Sequence, residues 1–386
     1  MADNHVVLLA CGDIGPIHEP MDAYGVLARP TLATGDIRFA QVERIYSDRG
    51  GSQAGSDRGG SEPMVAATTH GIPHHGLLKP HMASVFNQCG FDIVSVASNH
   101  SMDFGEEALL ESIATLQKNG LQTVGAGRNL EEARRPAIVE RNGVRVAFLA
   151  YCTVLRKGHE AGPNKPGVAP MRAHARCEPL EYQPGVPPMV ITSPYEEDLA
   201  AMLEDISKAK KAAHVVVVSM HWGIHYIPRM IADYQPIVAE TAFAAGADLI
   251  LGHHTHVPKA IGVHSGKVCF YSLGNFIFSV LEKTPERIAD FTRRYGVTLD
   301  PEYPRLSHGV DSKRSLIAKA VLTREGVQKV SFLPVLIDKQ LRPEILHSDD
   351  PRFDDSVRFM DWVSEALDHK FTREGNELVI TGNTVQ

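Results

Sequence analysis

Thiols are scarce in this 386-residue chain. Its five cysteines (Cys11, Cys89, Cys152, Cys177 and Cys269) are odd in number, scattered, and never spaced as C-x-x-C. That excludes a disulfide framework and a zinc ribbon. Aromatic residues make up only 7%, and no apolar run approaches the ~20 residues of a membrane span. Basic residues do not prevail: 39 Lys and Arg stand against 46 Asp and Glu, a net charge of −7. No overall field therefore draws nucleic acid or an acidic membrane. Residues 1–10 have no basic segment and too short an apolar run for a signal peptide, so the reducing cytoplasm is the expected compartment. What remains is an ordinary globular balance, 43% hydrophobic and 22% charged. Collagen, coiled coil and disordered tail are thereby excluded. Histidine, at nineteen residues, is the outlier.

Short apolar strands alternate with amphipathic helices. Strands are expected at 6–11, 37–42, 93–97, 144–151, 214–221, 248–252, 268–273, 315–323 and 327–337, and helices at 106–119, 198–213 and 236–245. The run VVVVS before His221 suits a strand covered on both faces. This alternation predicts an α/β fold with mixed sheets and right-handed crossovers. The expected organisation is one domain over 1–340 with a helical extension over 341–386, its helix at 355–370, packed on the core. Three segments interrupt the pattern. The hexamer Ser-Asp-Arg-Gly-Gly-Ser occurs twice and makes 47–63 a Gly/Ser-rich loop. A Pro/Gly-rich stretch at 153–194 reads as a lid, and 280–314 as a charged insertion. His70, His74, His75 and His81 read as a surface loop, with a substrate-facing role open, rather than as a zinc site.

Polar, metal-competent residues follow the strands one after another: Asp13, Glu43, Asn99-His100, His221 and His254-Thr255-His256. In open α/β sheets ligands bind outside the carboxyl ends of the strands, so these side chains should share one rim. Carboxylate, amide and imidazole without thiolate suit Mn²⁺, Fe or Zn²⁺ at a hydrolytic centre. His254 and His256, two apart, can both point inward, whereas His253 should point away. His100 and Asp103, three apart, allow the carboxylate to hold one ring nitrogen and prepare the histidine to protonate a leaving group.

Cys11-Gly12-Asp13, Ala97-Ser98-Asn99-His100-Ser101-Met102-Asp103-Phe104-Gly105, His221-Trp222-Gly223, Gly252-His253-His254-Thr255-His256 and Ser272-Leu273-Gly274-Asn275-Phe276 occur in one order over about residues 6–280. As a set they resemble the CapA family of capsule (poly-γ-glutamate) biosynthesis proteins, a branch of the calcineurin-like metallophosphoesterase superfamily. The resemblance implies a four-layer α/β/β/α sandwich with two divalent metal ions. Asp13 and His256 would serve one metal, and Asn99, His221 and His254 the other. A carboxylate bridges, assigned to Glu43 at the exit of its strand rather than Asp36 at the entrance. His100 and Asp103 become the acid pair. The chain departs from the family where Asp-x-His reads Asp13-Ile14-Gly15, so that His18 would have to fold back to replace the missing histidine. It departs again at Gln41-Val42-Glu43, and at His225 where relatives carry Glu.

The implied activity is a metal-dependent hydrolase whose metal-bridged hydroxide attacks a phosphoester, or an amide, γ-glutamyl or lactam bond. The substrate is a small anionic or glutamyl-type molecule, with Arg172, His225, His18 and Asn275 as candidates to touch it. Asn275 could instead support a ligand or cap a turn. No nucleic acid or membrane span is implied, and a homo-oligomer is allowed. The alternative is an accessory protein of capsule-polymer assembly that binds metal without catalysis.

Overall fold

The structure, a computed structural model, describes residues 5–49, 68–69, 72–73, 76–183, 185–306 and 308–383. Of the loop at 47–63, only 47–49 belong to them, and His70, His74 and His75 lie outside. In chain order the main elements are β1 (Val6–Gly15), β2 (Ile37–Val42), β3 (Ile93–Ser95), helix α1 (Glu106–Lys118), β4 (Gln122–Val124), β5 (Ala137–Arg141), β6 (Val144–Cys152), β7 (Ala173–Glu178) and β8 (Met189–Pro194). There follow α2 (Glu196–Ala212), β9 (Val215–His221), α3 (Tyr234–Ala245), β10 (Leu249–His253), β11 (Ile261–His264), β12 (Lys267–Phe270), β13 (Asn275–Phe278) and α4 (Pro285–Tyr295). Last come β14 (Arg314–Thr323), β15 (Gly326–Ile337), α5 (Pro351–Ser364), β16 (Lys370–Glu374) and β17 (Glu377–Thr381).

Among the described residues the larger sheet has ten strands, ordered β16-β17-β15-β14-β1-β2-β3-β4, with β13 paired to β1 and a short strand at Pro343–Ile345 paired to β15. The smaller sheet runs β5-β6-β9-β10-β12-β11. In both, the central strands are parallel, so their carboxyl ends face one way. The sheets meet face to face: Phe39 of β2 stacks on Phe148 of β6, ring centroids 5.7 Å apart. Leu149 and Tyr151 of β6 and Val216 and Val218 of β9 turn the other way, onto Met202 and Ile206 of α2 and Val238 and Ala242 of α3. With α1 buried through Leu109 and Leu116 against the larger sheet, the layers read α/β/β/α. Alternate strand residues bury against opposite partners, which explains why β9 is apolar at both faces.

The segment at 341–386 differs from the helical extension expected. Its helix, α5, starts at Pro351, capped by the Asp350 side chain, and stops at Ser364. The chain then forms the β16–β17 hairpin around Gly375 (φ +60°) and extends the larger sheet through β15. Leu378 and Ile380 alternate into the core, a period-2 signal too short to stand out in sequence. The lid contains the β7–β8 hairpin, and the insertion contains α4, whose Thr284 cap, Pro285 start and Gly296 stop fix its ends. No described helix is long and apolar enough to cross a membrane. All five cysteines are free, four of them buried.

Candidate metal centre

At the carboxyl ends of β1, β2, β9 and β10 the two sheets bring their polar residues together. Gly12 lets β1 approach the loop after β12: a Cβ there would lie 1.9 Å from Gly274 O. The next residue, Asp13, is buried and accepts from the backbone N–H of His254 through Oδ2 at 3.2 Å. Glu43, just past β2, is also buried, and neither of its carboxylate oxygens has a hydrogen-bond partner. Asp36 lies at the opposite end of β2 and accepts from Val7 N–H.

Ligand atoms of Glu43, His221 and His254 lie within 4.8 Å of one another. Asn99 Oδ1 stands between the rings, 2.7 Å from His221 Nε2 and 3.1 Å from His254 Nδ1, and Glu43 Oε1 is 3.6 Å from His221 Nε2. Ligands of one cation held at 2.0–2.2 Å stand about 3 Å apart, so this set fits a divalent ion. On the other side, His256 Nδ1 lies 3.8 Å from Asp13 Oδ2. His254 and His256 adopt φ of 93° and 60°, left-handed values that only the surrounding packing can hold. This backbone turns both rings inward.

Electrostatics point the same way. Burial pushes the Asp13 carboxyl up to about 8, against the pull of the His254 N–H and Arg44. Burial, with Asp13 as a second cause, pushes Glu43 up to about 8. Burial also holds His221, His254 and His256 well below the ordinary imidazole range, helped by neighbouring imidazoles. Without a cation the carboxyls keep protons and the imidazoles do not, the state from which a metal displaces protons. Orphaned buried carboxylate oxygens beside lone-pair nitrogens are a donor set that a divalent cation satisfies.

His100 Nδ1 is 2.7 Å from Asp103 Oδ2, and Ser98 Oγ accepts from the His100 backbone N–H. The remaining predicted residues divide. Asn275 is fully buried and its amide is spent: Nδ2 donates to His256 O and Ser312 O, so Oδ1 must accept from His256 Nδ1 at 2.8 Å. It therefore orients His256 and leaves Nε2 with the lone pair, a supporting role and not a substrate contact. Arg172 is held by Asp198 in a two-pronged pair at 2.7 and 2.8 Å, which commits its Nε and Nη2 within the protein. His225 lies over the cluster, its ring tilted against His254 at 3.9 Å between centroids. His18 does not fold back; among the described residues no contact joins its ring to Asp13 or His256. Its carbonyl accepts from Tyr24. His253 does not turn away: its Nδ1 is 3.5 Å from Asp13 Oδ1.

Sequence reasoning missed several neighbours. His308, from the insertion, stacks on His256 at 4.2 Å, and Tyr226 lies 5.3 Å from His308. Arg44, beside Glu43, places its guanidinium over Phe278. Buried Lys259 donates to Ile227 O and Met230 O, pinning the loop that carries His225 and Tyr226. Arg44 is a single cation after a strand and His308 lies in a charged insertion, so neither had a local signal.

Comparison with known proteins identifies the class. The family described as bacterial capsule synthesis protein PGA_cap matches residues 19–280, and the chain belongs to that family. Asp13 and His308 lie outside the matched span. Among relatives, the PGA biosynthesis protein CapA of Bacillus subtilis (strain 168) is 35% identical over 195 residues, covering 50% of this chain and 44% of that protein. The capsule biosynthesis protein CapA of Bacillus anthracis is 31% identical over 208 residues, covering 53% and 44%. The chain thus spans less than half the length of these relatives. A solved calcineurin-like phosphoesterase, YfkN from Bacillus subtilis, aligns over 93% of this chain and 98% of that one, at 14% identity and a TM-score of 0.37.

Proposed function

We propose that this chain is a metal-dependent hydrolase acting on an amide, γ-glutamyl or phosphoester bond of a small anionic or glutamyl-type substrate. One observation carries the reading. Two buried carboxylates from one sheet, Glu43 with neither oxygen hydrogen-bonded and Asp13 with Oδ1 left over, face three imidazoles from the other. Glu43, Asn99, His221 and His254 would hold one divalent cation, and Asp13 and His256 a second, with Glu43 shared. A cation there supplies a Lewis acid and lowers the pKa of water from 15.7 towards about 7.

The chain's own residues do the rest. Asn99 contributes a neutral oxygen, so the ligand set does not over-neutralise the ions. Asn275 keeps His256 in one tautomer. Asp103 holds the proton on His100 Nδ1 and stabilises the imidazolium, whose Nε2–H is donated to the leaving group. His225, close against His254, narrows access from one side.

The relatives' descriptions as biosynthesis proteins favour a second reading, in which the same cluster binds metal for polymer assembly and does not turn over substrate. The test is to load the chain with Mn²⁺, measure bound metal, and assay phosphate esters beside γ-glutamyl and cyclic amides. Turnover on either panel supports the hydrolase. Full metal occupancy without turnover on both sinks it and favours the binding reading.

A further inference from the structure

Arg44 is a buried cation that, among the described residues, has no carboxylate in direct contact. Its residue is 8% exposed, yet the guanidinium makes one hydrogen bond, a long 3.4 Å contact from Nη2 to Ser279 O, and Nε is buried without a partner. Among the described residues no carboxylate oxygen lies within 4.0 Å of it. The stem is cradled closely: a Cβ on Gly15 would sit 2.7 Å from Arg44 Cγ. The head lies over Phe278, with Cζ 4.6 Å from the ring centroid. A guanidinium cannot escape burial by losing its proton, and an uncompensated buried charge is costly.

His308 approaches the same ring from the insertion, its centroid 5.4 Å from that of Phe278. It is 7% exposed, is stacked face to face on His256, and has a buried, unpartnered Nδ1. Two buried donors from distant parts of the chain thus flank one aromatic ring beside the cluster. With cations on Asp13 and Glu43, the carboxylate left to act on Arg44 is Asp103, itself engaged by His100.

We propose that Arg44 and His308 form an oxyanion-binding subsite beside the metal cluster, which takes a carboxylate or phosphate group of the substrate. The guanidinium fork fits either group, and the His308 N–H adds a directional donor. The subsite's place next to the scissile bond rests on the hydrolase reading, whereas anion binding itself does not.

The test is calorimetric titration of the full chain, EDTA-treated and again Mn²⁺-loaded, with glutarate and with inorganic phosphate. At least one anion should bind the metal-free chain, and the tighter of the two identifies the group recognised. Arg44→Gln should weaken that binding about tenfold or more, Arg44→Lys less because the fork is lost but the charge kept, and His308→Gln by several-fold. Melting curves check folding; if Arg44→Gln does not fold, Arg44→Lys and His308→Gln decide. Failure of both anions to bind the wild type in either state, or binding to the folded variants within twofold of wild type, overturns the subsite. Loss of the hydrolase reading would appear instead as absent turnover with anion binding to the metal-free chain intact.

Discussion

The two sheets contribute opposite chemistry to the cluster. From the larger come oxygen donors: Asp13 at β1, Glu43 after β2 and Asn99 after β3. From the smaller come nitrogen donors: His221 at the end of β9, and His254 and His256 after β10. Neither sheet carries a complete set. The arrangement exists only where the sheets face each other, across the layer that Phe39 and Phe148 fill. Burial acts on the two halves in opposite senses, raising the carboxyls and lowering the imidazoles, so both are neutral near pH 7 without a cation. The chain can therefore pack the cluster without an ion, and a divalent ion held there would clamp one sheet to the other.

The largest effect should come from breaking either half. His221→Ala or His254→Ala, and equally Glu43→Gln, should reduce Mn²⁺ stoichiometry and lower turnover about a thousandfold or more. Asp36→Asn is the control on β2: its carboxylate serves Val7 N–H, so stability should move and metal count should not. Metal analysis of the purified variants decides. If Asp36→Asn loses more metal than Glu43→Gln, the bridging role belongs to Asp36.

A smaller loss separates proton transfer from metal binding. His100→Asn should keep full metal content and cost about 10²–10⁴-fold with poor leaving groups, but under about tenfold with good ones. Equal losses on both would remove His100 as the acid.

The opposite shifts also give a pH test. His221, His254, His256 and His308 are held well below 6.5, so the unfolded chain binds protons there that the fold does not, and stability rises with pH up to about 6.5. Asp13 and Glu43 run the other way. Their protons are lost near 3.8 and 4.5 when unfolded but at about 8 when folded, so this contribution is complete in acid and is lost as pH rises through about 8. Between about 6.5 and 8 the two carboxyls pull stability down, opposed only above about 7 by the single ammonium of Lys259, which burial lowers to that value. The Tm of the EDTA-treated chain should fall by roughly a few degrees across that window. Saturating Mn²⁺, which displaces those protons, should flatten it. A fall that persists with Mn²⁺, or none without it, would deny that these carboxyls meet the cation.

The sheet side of the molecule was legible in sequence because each donor sits where an apolar strand stops, as with Glu43 after β2 and His221 at the end of β9. The lid side was not. Arg172 looked like a free cation in a Pro/Gly-rich loop, since its partner Asp198 lies 26 positions away in the first turn of α2. Asn275 had three local readings, and only the three-dimensional contact with His256 chose the one in which it supports a ligand. The β16–β17 hairpin offered too few alternating residues to compete with the helical pattern before it.

Arg172 sharpens the contrast between the two sides at the lowest cost. Its guanidinium is one-third exposed, but both prongs are committed to Asp198, whose side chain is 7% exposed and also accepts from the Arg172 backbone N–H. Stacking on Tyr195, with Cζ 5.0 Å from the ring centroid, fixes it further. Removing the head while keeping the stem, as Arg172→Met, leaves Asp198 with its backbone donor and should cost about 1–2 kcal/mol of stability. KM for an anionic substrate should stay within twofold, because Nε and Nη2 are already engaged by Asp198. Denaturant midpoints and steady-state kinetics on one preparation settle it. A tenfold rise in KM at unchanged stability would return Arg172 to the substrate side and make the lid, and not Arg44 with His308, the source of charge selection.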